Sequence, residues 1–206
     1  MTSKQIIAAF DFDGTITRSD SLRNFILQVA GPRRFVLALL CVSPWLIGMV
    51  LGLCDRARTK ARFLAMTIGG TRQSDLDQAA RDYAAGKLLG LVRPDMLLRV
   101  AEHRQRGHRL VLVSASPSLY LKYWAAAAGF DAVLATELEF VDGCFSGRLA
   151  ASNCWGPEKV RRLQQWFNGN TPQEMYAYGD SRGDREMLAL ANHAWLRGRD
   201  SMQPLR

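Results

Sequence analysis

Ile6-Ile7-Ala8-Ala9-Phe10-Asp11-Phe12-Asp13-Gly14-Thr15 is the stretch from which the fold of this chain is read. Five apolar residues run without interruption into carboxylates, the pattern of a short strand buried on both faces. In an extended segment the side chains at i and i+2 point the same way, so Asp11 and Asp13 face one side together. Two like charges that close are costly unless a cation or a proton lies between them. Gly14 lets the chain turn sharply and lets a ligand approach its backbone. An Asx-type turn after a strand would need neither both carboxylates nor the apolar run.

Working outward, strands and helices alternate everywhere except in one long insert. Residues 18–90 carry no strand signal. Within them, 35–53 is a run of 19 residues without a charge, interrupted at Ser43-Pro44; a basic helical stretch (55–67), a Gly69-Gly70 break and an amphipathic helix (73–87) follow. After Pro94 the expected order is helix (95–106), strand (109–113), helix (117–128) and strand (132–135). A hairpin over 137–149, turning at Asp142-Gly143, precedes a helix (157–167), a strand (175–178), a helix (183–191) and a strand near 194–196. This alternation implies an α/β fold, a Rossmann-like doubly wound parallel sheet. Residues 1–17 and 91–206 form its core, and 18–90 an inserted helical cap with an apolar hairpin. Ligands of such sheets bind beyond the carboxyl ends of the strands. Asp11, Ser114 and Asp180 therefore belong on one rim.

The 206 residues suit one domain, or one core with a sub-domain. A content of 48% hydrophobic and 22% charged residues excludes a disordered chain and a fibre. Twenty-seven basic against 19 acidic side chains leave a formal charge of +8. Residues 18–62 hold Arg18, Arg23, Arg33, Arg34, Arg56, Arg58, Lys60 and Arg62 against only Asp20 and Asp55, so an electrostatic partner is to be sought there. No zinc-finger or aromatic RNA-binding pattern accompanies that charge, and nucleic acid is not an expected partner. Cys41, Cys54, Cys144 and Cys154 make no C-x-x-C pair and read as reduced thiols. His103, His108 and His193 show no metal-ligand spacing. Met1-Thr2-Ser3-Lys4 has no signal-peptide layout, which makes a cytoplasmic location the expectation.

Three more pieces stand at later strand ends. Ser114 closes Leu110-Val111-Leu112-Val113; a hydroxyl with free N–H groups at a strand-to-helix junction makes a phosphate-oxygen site. Serine also caps helices, and Ser116-Pro117 offers itself as that cap. Lys159, in Gly156-Pro157-Glu158-Lys159, is a point charge suited to neutralising a phosphoryl group, against the default of a surface lysine. Gly179-Asp180-Ser181-Arg182-Gly183-Asp184 brings carboxylates with small neighbours, which suit a hard cation such as Mg²⁺; a helix N-cap at Asp180 or Ser181 is the ordinary alternative. Each piece alone is explicable that way. All four in this order are not.

In Asp11-x-Asp13-Gly14-Thr15, Ser114, Lys159 and Gly179-Asp180-x-x-x-Asp184 the chain resembles the haloacid-dehalogenase superfamily of aspartate-nucleophile phosphatases, over nearly its whole length. Val111-Leu112-Val113-Ser114-Ala115-Ser116-Pro117 and Asn153-Cys154-Trp155-Gly156-Pro157-Glu158-Lys159 look like its subfamily IB hydrolases. The resemblance implies an Mg²⁺-dependent phosphomonoesterase working through an aspartyl-phosphate. On it, Asp11 is nucleophile and metal ligand. Asp13 is general acid and then base, with its backbone carbonyl on the metal. Asp180 completes the protein ligands with support from Asp184, and Gly14 and Thr15 complete the first loop. Ser114 and Lys159 hold phosphoryl oxygens, and the expected partner is a phosphate monoester.

The cap is expected to choose the substrate. As one helix, residues 35–53 would run about 28 Å, close to a bilayer's hydrocarbon core. A single transmembrane span is not expected, because it would separate Asp11 from Asp180, and Pro44 argues against a straight helix. Two readings stay open. In one, 33–43 and 44–54 form a helical hairpin packed within the cap. In the other, that hairpin and its basic flanks, residues 33–62, dock on an anionic membrane surface at the cytoplasmic face of the inner membrane. The apolar run, central proline, basic stretch and later glycine break are also similar to the bacterial phosphatidylglycerophosphatase C family, which implies a lipid phosphomonoester such as phosphatidylglycerophosphate. Asp20 points elsewhere. It stands where similar phosphoserine phosphatases carry an acidic residue toward the substrate amine, and it equally suits a cap for the helix beginning at Ser21. A soluble small-metabolite phosphatase is the alternative. A non-enzymatic receiver domain would carry its phosphoacceptor on a middle strand, which this order does not provide.

Overall fold

The computed structural model describes residues 5–205; the Met1-Thr2-Ser3-Lys4 segment read above lies outside them. In chain order the elements are β1 (Ile6–Phe10), α1 (Ser21–Val50), α2 (Arg56–Ile68), α3 (Gln73–Ala85), α4 (Pro94–Gln105), β2 (Arg109–Pro117), α5 (Ser118–Ala128) and β3 (Ala132–Thr136). They continue with β4 (Leu138–Val141), β5 (Cys144–Leu149), α6 (Pro157–Phe167), β6 (Glu174–Gly179), α7 (Arg185–Leu190) and β7 (His193–Leu196). Five strands make one sheet in the order β3-β2-β1-β6-β7, and every pairing in it is parallel. The strand order reverses beside β1, and that reversal opens a crevice at the carboxyl ends of β1, β2 and β6.

The unbroken apolar run of β1 is explained by its central place, since it feeds two cores. Ile7 and Ala9 pack on one face with Val111, Val113, Leu163 and Met187. Ala8 and Phe10 pack on the other with Leu112, Tyr120, Trp124 and Tyr178. Phe10 stacks on Tyr178 at 4.5 Å between ring centroids. The β4–β5 hairpin is antiparallel and turns at Asp142 and Gly143, both at positive φ, as an Asp-Gly hairpin requires.

The chain leaves the sheet at Thr17 and returns at Val92, where the two segments pass antiparallel. Arg18 N donates to Leu91 O at 2.8 Å and Arg93 N to Ile16 O at 2.8 Å. Between these crossings lie α1, α2 and α3. Their inner side joins the larger core through Leu64, Leu76, Ala80 and Tyr83. Tyr83 donates to the Ser21 carbonyl at 2.8 Å.

The apolar hairpin differs from the expectation. Residues 33–43 and 44–54 do not fold on each other, because α1 continues through Pro44. A proline removes one backbone donor and leaves the carbonyl four residues back without its partner. Here that carbonyl belongs to Leu40, and Ser43 Oγ donates to it at 2.7 Å. The break in α1 falls earlier, at Gly31 (φ 76°, ψ 164°), a conformation suited to glycine, and Pro32 opens the second piece. The hairpin is formed instead by that second piece and α2. Its turn is closed by Leu53 N and Cys54 N donating to Gly48 O and by Asp55 capping α2 through Arg58 N at 2.8 Å. The apolar limb thus pairs with the basic limb.

His103 gives the fold a pH dependence. It is fully buried, with Nε2 on the Tyr178 hydroxyl at 2.8 Å and Nδ1 on His108 Nδ1 at 2.8 Å. Burial first, and then His108 and Arg99, lower its pKa to about 3, against about 6.5 in an unfolded chain. A depressed histidine keeps the proton off the native state, so its contribution is intact above pH 6.5 and is lost as pH falls. At pH 5 this group alone should cost about 2 kcal/mol. Denaturant unfolding at pH 7.5 and 5 measures the loss. An imidazole resonance of His103 that titrates near pH 6.5 in the folded protein would contradict it.

Candidate active site

The crevice beside β1 collects the motif residues. Asp11 leaves β1 with its N–H on Tyr178 O at 2.9 Å, and residues 12–16 then turn with Asp13 extended and Gly14 at φ 83°. A Cβ on Gly14 would fall inside the Asp180 carboxylate, so both conformation and space call for glycine there. Asp11, Asp13, Ser114, Lys159 and Asp184 line one cavity of about 110 Å³. Oxygens of Asp11, Asp180 and Asp184 lie within 4.8 Å of one another. Thr15 Oγ donates to Asp11 Oδ2 at 3.1 Å and to Asp180 Oδ1 at 3.4 Å, joining the two. Asp20 stands apart. It is exposed, and its Oδ1 accepts from Arg23 N at 2.9 Å as the cap of α1.

Lys159 is no surface lysine: it is 1% exposed at the start of α6. Its Nζ donates to Asp11 Oδ1 at 2.5 Å, Asp184 Oδ1 at 2.6 Å and Val113 O at 2.8 Å. Burial opposes its charge, but Asp11 and Asp184 outweigh burial and hold the ammonium above the ordinary lysine range. One ammonium between two buried carboxylates leaves one of them uncompensated. Accordingly the Asp11 carboxyl is pushed up to about 8, by burial first and against the pull of Lys159, with Asp184 and Asp13 adding to the rise. Asp180 is also raised, by burial and then by Asp184. Asp184 is a fixed strut, with Oδ1 on Lys159 and Oδ2 accepting from Asp180 N, Ser181 N and Ser181 Oγ. Ser181 and Asp184 do form a helix-capping box, so the ordinary reading of that motif holds alongside its place in the site.

Asp13 has donors of its own. It accepts from Ser21 N at 2.7 Å and from the Ser116 hydroxyl. Burial first, then Asp20, raises its pKa. These two donors were not expected as site residues: Ser116 read as a helix cap, whereas Pro117 holds that position with no side-chain cap. Lys60 of α2 was also missed. Its Nζ reaches the rim of the crevice, donating to Ala115 O at 2.5 Å and Asn153 Oδ1 at 3.1 Å, and burial lowers its pKa to about 8 against the pull of Asp13 and Asp20. Only its being the one lysine among seven arginines in 18–62 set it apart in sequence. Trp155 lies against Gly183 so closely that a Cβ there would meet the indole. It lines both the small cavity and a neighbouring cleft of about 650 Å³ with Arg56, Arg58 and Asn153.

The donor set fits a hard divalent cation. Three carboxylates converge within 4.8 Å, all their donors are oxygens, and the Lys159 ammonium is already shared between two of them. Burial first, and then the neighbouring carboxylate charge, raises Asp11 and Asp180, and a bound cation would offset both. The family model of the haloacid dehalogenase-like hydrolases matches residues 8–189, which include every residue of this cluster.

The chain belongs to that family. This haloacid dehalogenase-like hydrolase is 35% identical over 198 residues to the protein CicA of Caulobacter vibrioides (strain NA1000 / CB15N), an alignment covering 96% of this chain and 88% of CicA. Its fold is similar to that of a protein of unknown function from Bordetella pertussis Tohama I, with a TM-score of 0.80, 22% identity, and coverage of 93% of this chain and 89% of the other. It is also similar to a phosphoserine phosphatase solved as a phospho-aspartyl intermediate analogue, with a TM-score of 0.66, 16% identity, and coverage of 93% and 86%.

Proposed function

We propose that this hydrolase is an Mg²⁺-dependent phosphomonoesterase that passes through an aspartyl-phosphate on Asp11 and acts on a lipid phosphomonoester such as phosphatidylglycerophosphate. The observation that carries the reaction is the division of labour between two carboxylates, Asp11 buried and Asp13 half-buried. Asp11 is tied to Lys159 and Thr15, while Asp13 is held apart by Ser116 and Ser21. The first is placed to attack and the second to move protons. The phospho-aspartyl analogue of the similar phosphoserine phosphatase supports the same reading.

A carboxylate oxygen of Asp11 attacks phosphorus, forming the acyl phosphate as the ester P–O bond breaks. Asp13, whose pKa is raised by burial first and then by Asp20, gives its proton to the leaving alkoxide. Lys159 Nζ and Ser114, both lining the cavity, hold the phosphoryl oxygens in line. Asp13 then takes a proton from water, whose oxygen attacks the phosphorus, and Asp11 is released with inorganic phosphate. Asp11, Asp180 and the main-chain carbonyl of Asp13 would hold Mg²⁺, which when bound supplies the positive charge that lets Asp11 ionise beside an anionic substrate.

Two features support a lipid substrate. The cleft that shares Trp155 with the cavity carries Arg56 and Arg58, with Lys60 beside it on Asn153, and this suits a leaving group with its own anion. The apolar limb of the cap lies next in the chain. The fold's likeness to a phosphoserine phosphatase favours a soluble ester, but Asp20 is engaged as a cap and the cleft is basic. The test compares Mg²⁺-dependent phosphate release from phosphatidylglycerophosphate in liposomes with release from phosphoserine, with and without a chelator. The lipid should turn over at least tenfold faster, and the chelator should stop both reactions. Release confined to phosphoserine removes the lipid proposal, and no release from either ester removes the phosphatase reading.

A further inference from the structure

The second piece of α1 presents a bare apolar face. Among the described residues, nine of the fifteen large hydrophobic side chains that are exposed lie between 36 and 53. Leu37, Leu40 and Ile47 are each more than 60% exposed on the helix, and Val50, Leu51 and Leu53 are 83%, 66% and 79% exposed at the tip of the hairpin. Only Ala38, Val42 and Gly48 of this piece are buried. An 18-residue window of α1 has a mean hydropathy of 1.6 with 22% of it buried, long and apolar enough to cross a membrane by length and composition alone. A core helix of this character would be covered.

Its rim is cationic. No Asp or Glu occurs between Asp20 and Asp55, whereas Arg33 and Arg34 flank the face and Arg56, Arg58 and Arg62 follow on α2. Arg62 lies over the Trp45 ring at 4.4 Å and Arg34 is held on Met66 O at 3.0 Å, so these charges are fixed beside the apolar stripe. A second copy of the chain is a poor cover, because a two-fold pairing would set these arginines against themselves. An apolar stripe bordered by arginines with no acidic counterpart matches an anionic bilayer surface.

We propose that the α1–α2 hairpin docks peripherally on an anionic bilayer, with residues 36–53 at the headgroup–acyl boundary. A single crossing by α1 does not suit the fold, because β1 on one side of it pairs with β2 and β6 on the other. The tip adjoins the Arg56–Trp155 cleft, where Arg56 lies 5.0 Å over the Trp155 ring, so a docked hairpin opens the catalytic mouth on the headgroup layer. The lipid-substrate reading gains its route from this docking, while the docking stands on the surface alone.

The test is flotation of the full-length protein with vesicles of equimolar phosphatidylglycerol and phosphatidylcholine, and with phosphatidylcholine alone. Binding should be at least tenfold stronger to the anionic vesicles and weaken several-fold between 0.1 and 0.5 M salt, each interfacial arginine adding about fivefold. The double variant Leu51→Asp/Leu53→Asp should lose binding at least tenfold while hydrolysing p-nitrophenyl phosphate at the wild-type rate. Equal affinity for both vesicles, no binding, or self-association abolished by the double variant would overturn the docking. Intact docking with no ester turnover would leave it standing and remove the enzymatic reading instead.

Discussion

Asp11→Asn should abolish phosphate release, a loss on the order of 10⁴-fold or more, while the variant folds and melts no lower than the parent in metal-free buffer at pH 7. The size follows from the role. Removing a nucleophile deletes the covalent route altogether, and such losses in enzymes reach about 10⁶-fold. The stability half follows from electrostatics. A buried carboxyl whose pKa rises to about 8 binds its proton more tightly folded than unfolded, so from above pH 4 up to pH 8 its ionisation weighs against the native state. The amide removes that charge at nearly the same shape, and Lys159 keeps Asp184 and Val113 O as partners. Phosphate-release assays and thermal melts check both halves. Normal turnover would refute the aspartyl-phosphate mechanism, and a collapsed fold would refute the charge analysis.

Lys159→Met should be the most destabilising of the active-site changes, by about 3–5 kcal/mol, the usual penalty when one partner of a buried ion pair is removed. It strands Asp11 and Asp184, the latter 1% exposed, around a hydrocarbon chain. The sign with pH is distinctive. In the parent, the raised lysine pKa contributes its full stabilisation at neutral pH, being lost only as pH rises into the alkaline range. In the variant that contribution is absent, so the deficit against the parent is complete at neutral pH and narrows only as pH rises into the range where Lys159 would lose its proton. Urea unfolding of parent and variant at pH 7 measures the deficit. Adding Asp184→Asn should restore part of the stability and none of the turnover. A variant as stable as the parent at pH 7 would show that Lys159 does not balance these carboxylates.

Much of the site is legible in the sequence. A five-residue apolar run ending in carboxylates can be little other than a strand buried on both faces, and the parallel sheet places its carboxyl end beside those of β2 and β6. Asp11, Ser114, Lys159 and Asp184 therefore meet although well over a hundred residues separate the first from the last. Ser116, Ser21 and Lys60 were not legible, because Ser21 and Lys60 act across the cap–core boundary, Ser116 acts between two distant segments of the core, and each also suits an ordinary local reading. Asp20 shows the converse, since its capping bond to Arg23 N is local and was readable from the residue before the helix.

Pro44 marks where local reasoning stops. A proline in a helix costs a backbone bond, and the sequence therefore suggested a turn at Ser43-Pro44. The tertiary structure places the turn at 51–55 and the kink at Gly31, because Ser43 satisfies the carbonyl that Pro44 orphans. The order of the elements and their burial patterns determined the parallel sheet, the rim shared by Asp11, Ser114 and Asp180 and the helical nature of the insert, since these are written along the chain, while the resemblance alone implied what those residues do. The pairing of the apolar limb with α2, its bare outer face and the shared burial of Lys159 depend on which elements meet in space, and only the folded structure decides that.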